Sequence, residues 1–336
     1  MHKKLHPARI LRRILNGDAT SHTHLPQTVA DLEALARARN NRCTCDTCTP
    51  RARKKSNCVP WPHFTPDLPS RLTTNRHGNT VFAPPKLSSR AARPAQGPLL
   101  ARSMISYFDQ PPSHLNDAQL AARASLIAWR DRRMSALLTP YAHPNGRLLV
   151  PAPEMQSLWE GLNTLFFGGR IPGIRFRWTE DKHGVLGRSA FSFGGSPVIS
   201  MHPTRTSRDF GDYAVLDFLS TLVHEAVHAF LQFYACRWYH VWDGEYTAGG
   251  HGRVFQMLAK KLEEAVPRLL GVPVRLGRFE SLLGDLGVRE GKEGRLRGRV
   301  PSVHDLELWR FEDVDRDVQN ADVRRLVEKT LAEWEG

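Results

Sequence analysis

The sequence predicts an α+β fold, and three observations lead to that prediction. Several long segments carry apolar residues at helical spacing. Three short segments with alternating apolar residues follow one another at residues 174–178, 185–193 and 198–202. Gly-rich and charged connections between these segments predict a small antiparallel sheet with its strands in chain order. We therefore expect one mixed core, in which helices pack on a small sheet.

The charge of the chain is unevenly distributed. The 336 residues are 41% hydrophobic and carry a formal net charge of +13, and residues 1–100 hold 17 Lys and Arg against 5 Asp and Glu. Such a basic arm attracts polyanions because each Lys or Arg that meets a phosphate releases a counterion. A polyanion is the expected partner of this arm, and a solvated, disordered tail without a specific partner is the alternative.

Residues 1–112 are expected to form a basic, mostly disordered extension. Much of it is interrupted by Pro, Ser, Thr and Arg, and such a composition buries too little apolar surface to offset its chain entropy. A short helix from Val29 to Arg39, capped by Thr28, is the exception. The first residues are basic and free of acid, which suits either this arm or a mitochondrial presequence.

The cysteines are few and mostly clustered. Four of the five lie close together, at Cys43, Cys45, Cys48 and Cys58. Thiolates at short spacing bind zinc, but no usual finger spacing fits, so whether this cluster binds a metal stays open. An odd number of cysteines is typical of a reducing compartment. The run RARKKS at residues 51–56 is typical of a nuclear-import or nucleic-acid patch and indicates a nuclear location, with mitochondria or cytoplasm as alternatives.

Folded structure is expected to begin near Asn116, and residues 113–272 form the predicted main domain. Asn116 precedes a helical segment whose expected apolar face consists of Leu120, Ala124, Ile127 and Met134. A second helix is predicted in PEMQSLWEGLNTLFFGG, with Pro153 in its first turn and Gly168 at its end.

Two further helices are predicted, from Tyr213 to Cys236 with Asp209 or Asp212 as cap, and from Arg253 to Pro267. No run of 18 or more apolar residues without charge occurs, so we expect no membrane-spanning segment. Residues 273–336 are expected to form an appendage, with a strand at PVRLG and a terminal helix in NADVRRLVEKTLAEW.

The segment STLVHEAVHAFLQFYAC places His224, Glu225 and His228 inside the most apolar predicted helix. His224 and His228 are four residues apart, so both imidazoles can meet a zinc ion about 2 Å away on one side of the helix. Glu225 lies one step around the helix, within reach of a water at the metal. This is the H-E-x-x-H pattern, in which the Glu is the general base. Core histidines satisfied by neighbours are the alternative, but they would be polar groups buried at a cost.

A catalytic zinc normally has three protein ligands, so a third ligand is expected downstream. The extended H-E-x-x-H-x-x-G-x-x-H pattern is excluded, because Leu231 and Tyr234 stand where it needs Gly and His. His240, Glu245 and His251 remain as candidates. His251 is favoured, since the glycines on either side of it let the backbone come close to a metal at the start of a helix.

At these residues the chain resembles the SprT-like metalloprotease domain family, which includes the Spartan proteases. The resemblance spans about residues 153–266 and includes FFGGRIPGIRFRW, LVHEAVHAFL and GGHGRVFQMLAKKLE in the family's order, while the YAC after the helix is similar to fungal members. It implies a zincin-like core, in which a small antiparallel sheet packs on an active-site helix. By position, it implies zinc ligands at His224, His228 and His251 and a catalytic base at Glu225.

The resemblance also implies a zinc-dependent endopeptidase that acts on proteins bound or crosslinked to DNA, as in DNA–protein crosslink repair. Two features depart from the family, since the loop between His228 and His251 is longer than usual and no Cys-rich zinc ribbon follows. The alternative is a nucleic-acid- or chromatin-binding protein with a structural or inactive zinc site, which would not need Glu225. In the enzyme, the strand VISMH is expected to form a wall of the substrate cleft, with His202 either contacting substrate or simply exposed.

Overall fold

The computed structural model describes residues 26, 28–39, 72–85, 97–133, 150–180, 185–190, 197–207, 214–235, 250–286 and 300–311. Over these residues helices combine with two small sheets, so the predicted α+β class is confirmed. The helices are α1 (Val29–Arg39), α2 (Gly97–Phe108), α3 (Asp117–Arg132), α4 (Ala152–Phe167), α5 (Ala214–Tyr234), α6 (Arg253–Leu270), α7 (Arg278–Asp285) and α8 (Val303–Trp309). The strands are β1 (Leu72–Thr74), β2 (Thr80–Phe82), β3 (Arg175–Trp178), β4 (Gly187–Ala190) and β5 (Val198–Met201).

These elements belong to two compact units. The larger unit contains all five strands, helices α2 to α5, and α6 from Met257 onward with the segment that follows to Gly277. The smaller unit contains α1, the chain from Gly250 to Gln256, and helices α7 and α8. The division falls within helix α6, whose first turn belongs to the smaller unit and whose remaining residues belong to the larger one.

Helix α5 is a core helix of the larger unit. It lies where the sequence predicts it, and most of its side chains are buried, including Leu222, Val227 and Phe230. Its length and composition would also allow it to cross a membrane, but 89% of that apolar window is buried inside the protein. Its apolar character is therefore used for packing within the fold.

The three-stranded sheet of the larger unit is mixed. Strand β5 lies between the other two, parallel to β3 and antiparallel to β4, with Ile199 opposite both Phe176 and Ser189. The prediction of an antiparallel sheet in chain order is therefore wrong. The side chains explain this order, because β5 supplies the buried Ile199 and Met201, whereas β4 has the sequence GRSA and little apolar surface to offer a central position.

Folded structure begins well before Asn116, contrary to the prediction. Helix α2 buries Tyr107 completely, and the Tyr107 hydroxyl lies 3.3 Å from Asn116 Nδ2. The β1–β2 hairpin is bound to the segment before α3, because the Asn75 side-chain amide donates to the carbonyl of Leu115. Sequence reasoning missed these elements because they are short and lie among Pro- and Ser-rich stretches. The predicted disorder in the rest of residues 1–112 concerns residues outside the described part of the chain.

Helices α3 and α4 form with the predicted caps. The Asn116 side chain accepts from the backbone N–H of Gln119, and the Gln119 side chain accepts from that of Asn116, which completes a capping box. Helix α4 starts after Pro151 and ends at Gly168, whose φ of 62° is the left-handed conformation that favours glycine.

The buried face of α3 differs from the predicted one. The buried residues are Gln119, Ala122, Leu126 and Trp129, whereas Ala124 is exposed and Leu120 and Ile127 are half-buried. The polar groups of the two large buried side chains find partners, since Gln119 Nε2 donates to the Leu165 carbonyl and Trp129 Nε1 to Glu154. A search for aliphatic residues alone overlooks such amphipathic side chains.

The smaller unit has its own apolar core. Helix α1 spans Val29–Arg39 as predicted, and Thr28 caps it by accepting from the backbone of Asp31 and donating to the Asp31 carboxylate. Apolar residues from α1, α7 and α8 form one buried cluster that includes Leu32, Leu282 and Trp309. The helix within the predicted extension is thus part of a packed core.

The segment after α6 is extended but is not a strand, so the strand predicted at PVRLG is wrong. Its backbone groups bond to helix side chains instead of to a sheet. Arg275 N donates to Ser220 Oγ at 3.1 Å, and Leu276 N donates to Glu263 Oε1 at 2.8 Å. Helix α6 also continues three residues beyond its predicted end at Pro267, because a proline in the last turn leaves the remaining helical bonds intact.

Several predictions concern residues outside the described part of the chain. They include the cysteine cluster at residues 43–58, the cap of α5 at Asp209 or Asp212, Met134, and the terminal helix in NADVRRLVEKTLAEW. These stay predictions.

Candidate metal centre

Helix α5 brings His224 and His228 together. Their spacing of four residues puts them one turn apart on one side of the helix, and their Nε2 atoms lie 3.1 Å from each other. The ring planes are tilted by 60°, with centroids 4.8 Å apart, so the rings converge at their nitrogen edges and do not stack. Two imidazole nitrogens that face each other at this distance can serve one ion.

The orientation of His224 is fixed by the segment after α6. His224 Nδ1 lies 2.8 Å from the carbonyl oxygen of Leu276. A carbonyl only accepts hydrogen bonds, so Nδ1 carries the proton and Nε2 keeps its lone pair. Leu276 is held in turn through its own N–H, which donates to Glu263 in α6. The ring of His224 is therefore set by contacts from two other elements of its unit.

His251 precedes the first turn of α6, as the sequence predicts. Gly250 before it has a φ of 93°, a left-handed conformation that other residues avoid, and Arg253 two residues later begins the helix. His251 Nδ1 lies 3.0 Å from Asp285 Oδ1, and His251 N donates to Asp285 Oδ2 at 2.9 Å. Both the ring and the backbone of His251 are thus bound by one carboxylate.

The three predicted ligands come together. His224, His228 and His251 each offer an imidazole nitrogen, and these atoms all lie within 4.8 Å of one another. Neutral imidazole is a common metal ligand, so this cluster could bind a metal ion. The other two candidates for the third ligand, His240 and Glu245, lie outside the described residues, as do the neighbouring Trp238, Tyr239 and Trp242.

Glu225 follows His224 in α5, and its carboxyl is buried. Its exposure is 5%, and burial raises its pKa to about 7, although hydrogen bonds from the backbone and side chain of Ser189 and the charge of Arg188 oppose the rise. A cation bound at the histidines would lower this pKa again, because an opposite charge nearby favours the ionised form. Glu225 can therefore exchange a proton near neutral pH, and Ser189 holds its carboxyl in place.

Strand β4 approaches Glu225 closely, and Gly187 makes that approach possible. A Cβ added at Gly187 would lie 2.8 Å from Thr221 Cγ2 and 2.9 Å from Glu225 Cγ. Both distances are shorter than real Cβ contacts, so any side chain here would displace α5 residues. In the same strand, Ser189 binds Glu225 and lies within 3.3 Å of Gln232 Nε2. Strand β4 thus supports the carboxylate.

The start of α6 is anchored by a buried ion pair. Arg253 Nε and Nη2 donate to the two carboxylate oxygens of Asp305 at 2.7 and 2.8 Å, and Ser302 Oγ donates to the same carboxylate. Gln256 Nε2 donates to the carbonyl oxygens of His251 and Arg278. These bonds hold the backbone on both sides of the third histidine within the smaller unit.

The sheet order bears on the predicted cleft. Strand β5 is the central strand and pairs on both sides, so a peptide cannot add to its edge, while its role as a wall of the cleft stays a prediction. The edge strand beside α5 is β4, as the approach of Gly187 to Glu225 demonstrates. His202 is also not simply exposed, because it is buried and its Nδ1 accepts from the backbone N–H groups of Thr204 and Arg205.

Sequence reasoning missed the residues that orient the predicted ones. Two of them contact predicted ligands, namely Leu276 and Asp285. Two others contact Glu225, namely Gly187 and Ser189. Each lies more than ten residues along the chain from the residue that it contacts. A glycine inside a strand pattern was a usable signal, because it often indicates a close approach of another element. Comparisons of the chain with protein-family models, with curated proteins and with solved structures gave no match.

Proposed function

We propose that this protein is a zinc-dependent endopeptidase of SprT-like type, built on a zincin-like core. The observation that carries the proposal is the cluster of His224, His228 and His251 with a buried carboxyl, Glu225, directly after the first histidine. A site that only stabilises the fold needs metal ligands but no such carboxyl. Three protein ligands with an open position are typical of catalytic zinc, whereas structural zinc usually has four.

Zinc suits this donor set. Two nitrogens bound to a tetrahedral zinc ion at 2.0–2.1 Å are roughly 3.4 Å apart, close to the 3.1 Å between the Nε2 atoms of His224 and His228. When bound, the ion would polarise a peptide carbonyl and lower the pKa of water. A partner at Nδ1, as described for His224 and His251, is typical of histidines that bind a metal through Nε2.

Glu225 supplies the proton transfers in the proposed reaction. As a water oxygen attacks the peptide carbonyl carbon, the carboxylate accepts the proton that the water loses. It then delivers this proton to the amide nitrogen while the C–N bond breaks, so that a carboxylic acid and an amine leave. The hydrogen bonds from Ser189 hold the carboxylate in place through both transfers.

Strand β4 is the proposed docking edge for an extended peptide. Within the described residues it pairs with β5 on one side only, and it lies against the helix that carries Glu225. A peptide that adds to such an edge is held by backbone hydrogen bonds, which suits an endopeptidase with little sequence preference. Proteins attached to DNA are the proposed substrates, with the basic arm of residues 1–100 as the contact to DNA.

The decisive experiment compares wild type with Glu225→Gln. We expect the variant to keep about one zinc per chain and to lose peptidase activity by at least 10²–10⁴-fold, the usual range for a general base. Zinc content by mass spectrometry and cleavage of an unstructured protein, with and without single-stranded DNA, are the measurements. Glu307→Gln, at an exposed glutamate in α8, is the matched control.

The outcomes separate enzyme from binding protein. A wild-type protein that binds zinc and never cleaves, with or without DNA, would refute the enzyme and leave a nucleic-acid-binding protein with a structural zinc site. The role of the arm is tested in the same assay by changing Arg51, Arg53, Lys54 and Lys55 to Ser. Deleting the whole arm is unsuitable, because α1 and α2 belong to packed cores.

A further inference from the structure

We propose that Asp285 is a positioning residue that orients His251 for metal binding. This inference rests on the proposed role of His251 as a ligand. Asp285 Oδ1 lies 3.0 Å from His251 Nδ1, and Oδ2 accepts from the backbone N–H of His251 at 2.9 Å. One carboxylate thus fixes both the ring and the main chain of the same residue.

The chemistry of this contact suits a metal ligand. A carboxylate oxygen accepts the hydrogen bond, which favours the tautomer with the proton on Nδ1 and the lone pair on Nε2, the form that binds a metal. A carboxylate behind a ligating histidine also makes the ring a stronger donor. The Asp285 side chain is 6% exposed and that of His251 is 16% exposed, so water competes little with the bond.

Local helix preferences do not account for the position of Asp285. It is the last residue of α7, where the partial negative charge of the helix end disfavours a carboxylate. The helix is held there by its apolar face, through Phe279, Leu282 and Leu283 in the core of the smaller unit. This packing directs a buried carboxylate to a histidine 34 residues earlier in the chain.

A second contact in the molecule has the same form. The carbonyl of Leu276 holds His224 Nδ1 within the larger unit. Asp285 acts on His251 in the same way within the smaller unit. In each unit, a residue that is distant in sequence thus fixes the Nδ1 atom of a predicted ligand.

The test uses the full chain with Asp285→Ala and Asp285→Asn. We expect zinc affinity, measured by competition with a chromophoric chelator, to fall 10–100-fold in the Ala variant, the usual effect of removing such a partner. The Asn variant should fall less, because its amide oxygen still accepts from Nδ1–H. Cobalt(II) in place of zinc should give an altered visible spectrum in both variants, which a purely structural change elsewhere would not cause.

Glu154→Gln is the matched control. Glu154 is a half-buried carboxylate, but its partners are Arg133 and Trp129 and no histidine. We expect this control to lower the thermal midpoint while zinc affinity and the cobalt spectrum, both measured well below that midpoint, stay at wild-type values. Circular dichroism at the same temperature verifies that each variant is folded.

The failure of this inference differs from the failure of the proposed function. If folded Asp285→Ala and Asp285→Asn bind zinc as tightly as wild type and give its cobalt spectrum, Asp285 does not position His251, whatever the peptidase assay gives. If wild type itself binds no zinc, the proposed function is wrong together with this inference. If all variants bind zinc weakly, including Glu154→Gln, the effect is one of stability, and the specific role of Asp285 is refuted.

Discussion

Two parts of the histidine cluster are fixed by different kinds of contact. His224 and His228 belong to one helix, so a spacing of four residues is enough to bring them together. His251 precedes another helix, and its ring depends on Asp285, 34 residues farther along the chain. Local geometry therefore places two ligands, and tertiary contacts place the third.

This difference indicates where the site can fail. The pair in α5 stays aligned as long as one buried helix persists, and that helix is among the most apolar parts of the chain. The third ligand requires the ion pair of Arg253 with Asp305 and the packing of α7 and α8. We expect metal binding to be most sensitive to changes in these later segments.

The largest expected effect comes from removing a ligand of either kind. His228→Ala and His251→Ala should each abolish stoichiometric zinc binding, because two imidazoles do not hold the ion against competing chelators. Metal content after dialysis against a weak chelator is the measurement. His114→Ala, at an exposed histidine, should keep about one zinc per chain.

Different zinc contents in the two variants would contradict the assignment of His251 as the third ligand. If His251→Ala kept its zinc while His228→Ala lost it, the third ligand would have to come from elsewhere, and His240 and Glu245 would be the residues to change next. Loss of zinc in both variants would support a site in which the distant ligand is as necessary as the local pair.

The next effect concerns the anchor of the third ligand. Arg253→Met leaves the Asp305 carboxylate buried without its partner, and breaking such a pair typically lowers the free energy of unfolding by about 3–5 kcal/mol. Both side chains are only 6% exposed, so solvent screens them little. Urea denaturation is the measurement. The double change Arg253→Met with Asp305→Leu should recover part of the loss, because no unpaired charge remains.

The pH dependence of this loss has a definite sign. Burial raises the pKa of Asp305, but the hydrogen bonds and charge of Arg253, together with bonds from Ser302, outweigh it and leave that pKa below its ordinary value. In wild type the pair stabilises the fold fully above the unfolded pKa of about 3.9 and is lost as the pH falls through the lowered folded pKa. In Arg253→Met burial is no longer offset, so the pKa of Asp305 rises. The deficit of the variant should therefore shrink as the pH falls from 7 toward 4.

The same division separates what could be predicted from the sequence from what could not. The α+β class, helices α1, α4 and α5 and the pairing of His224 with His228 follow from spacing, caps and glycines, all local signals. His251 could be proposed as a ligand from its flanking glycines, but the contacts that hold it are tertiary. The strand order could not be predicted from such signals, because it depends on which strand has apolar side chains to pack beside both neighbouring strands. Asp285 and Leu276 could not be predicted either, since nothing near them in the sequence indicates a partner in another helix.

The smallest expected effect tests whether the local pair is as independent as it looks. Gly187 in β4 has an ordinary backbone conformation, so glycine is required there only by space, with Glu225 Cγ 2.9 Å from the position of a Cβ. Gly187→Ala should push the Glu225 side chain aside without touching a histidine. Overpacking of this kind typically lowers the free energy of unfolding by about 1–3 kcal/mol. Displacement of the catalytic carboxylate should in addition lower kcat/KM by roughly 10–100-fold. Zinc content should stay at one per chain.

Gly173→Ala is the matched control, because the same substitution there acts through a different cause. Gly173 has a φ of 66° and nothing within 4 Å of a Cβ, so alanine strains the backbone without displacing a neighbour. We expect this control to lower the thermal midpoint and leave kcat/KM near wild type, whereas Gly187→Ala should lower both. If Gly187→Ala kept full activity, Glu225 would tolerate displacement by the strand, and its alignment would come from α5 alone. A loss of zinc in Gly187→Ala would mean that β4 also supports His224 and His228, so that even the ligands placed by local spacing depend on a tertiary contact.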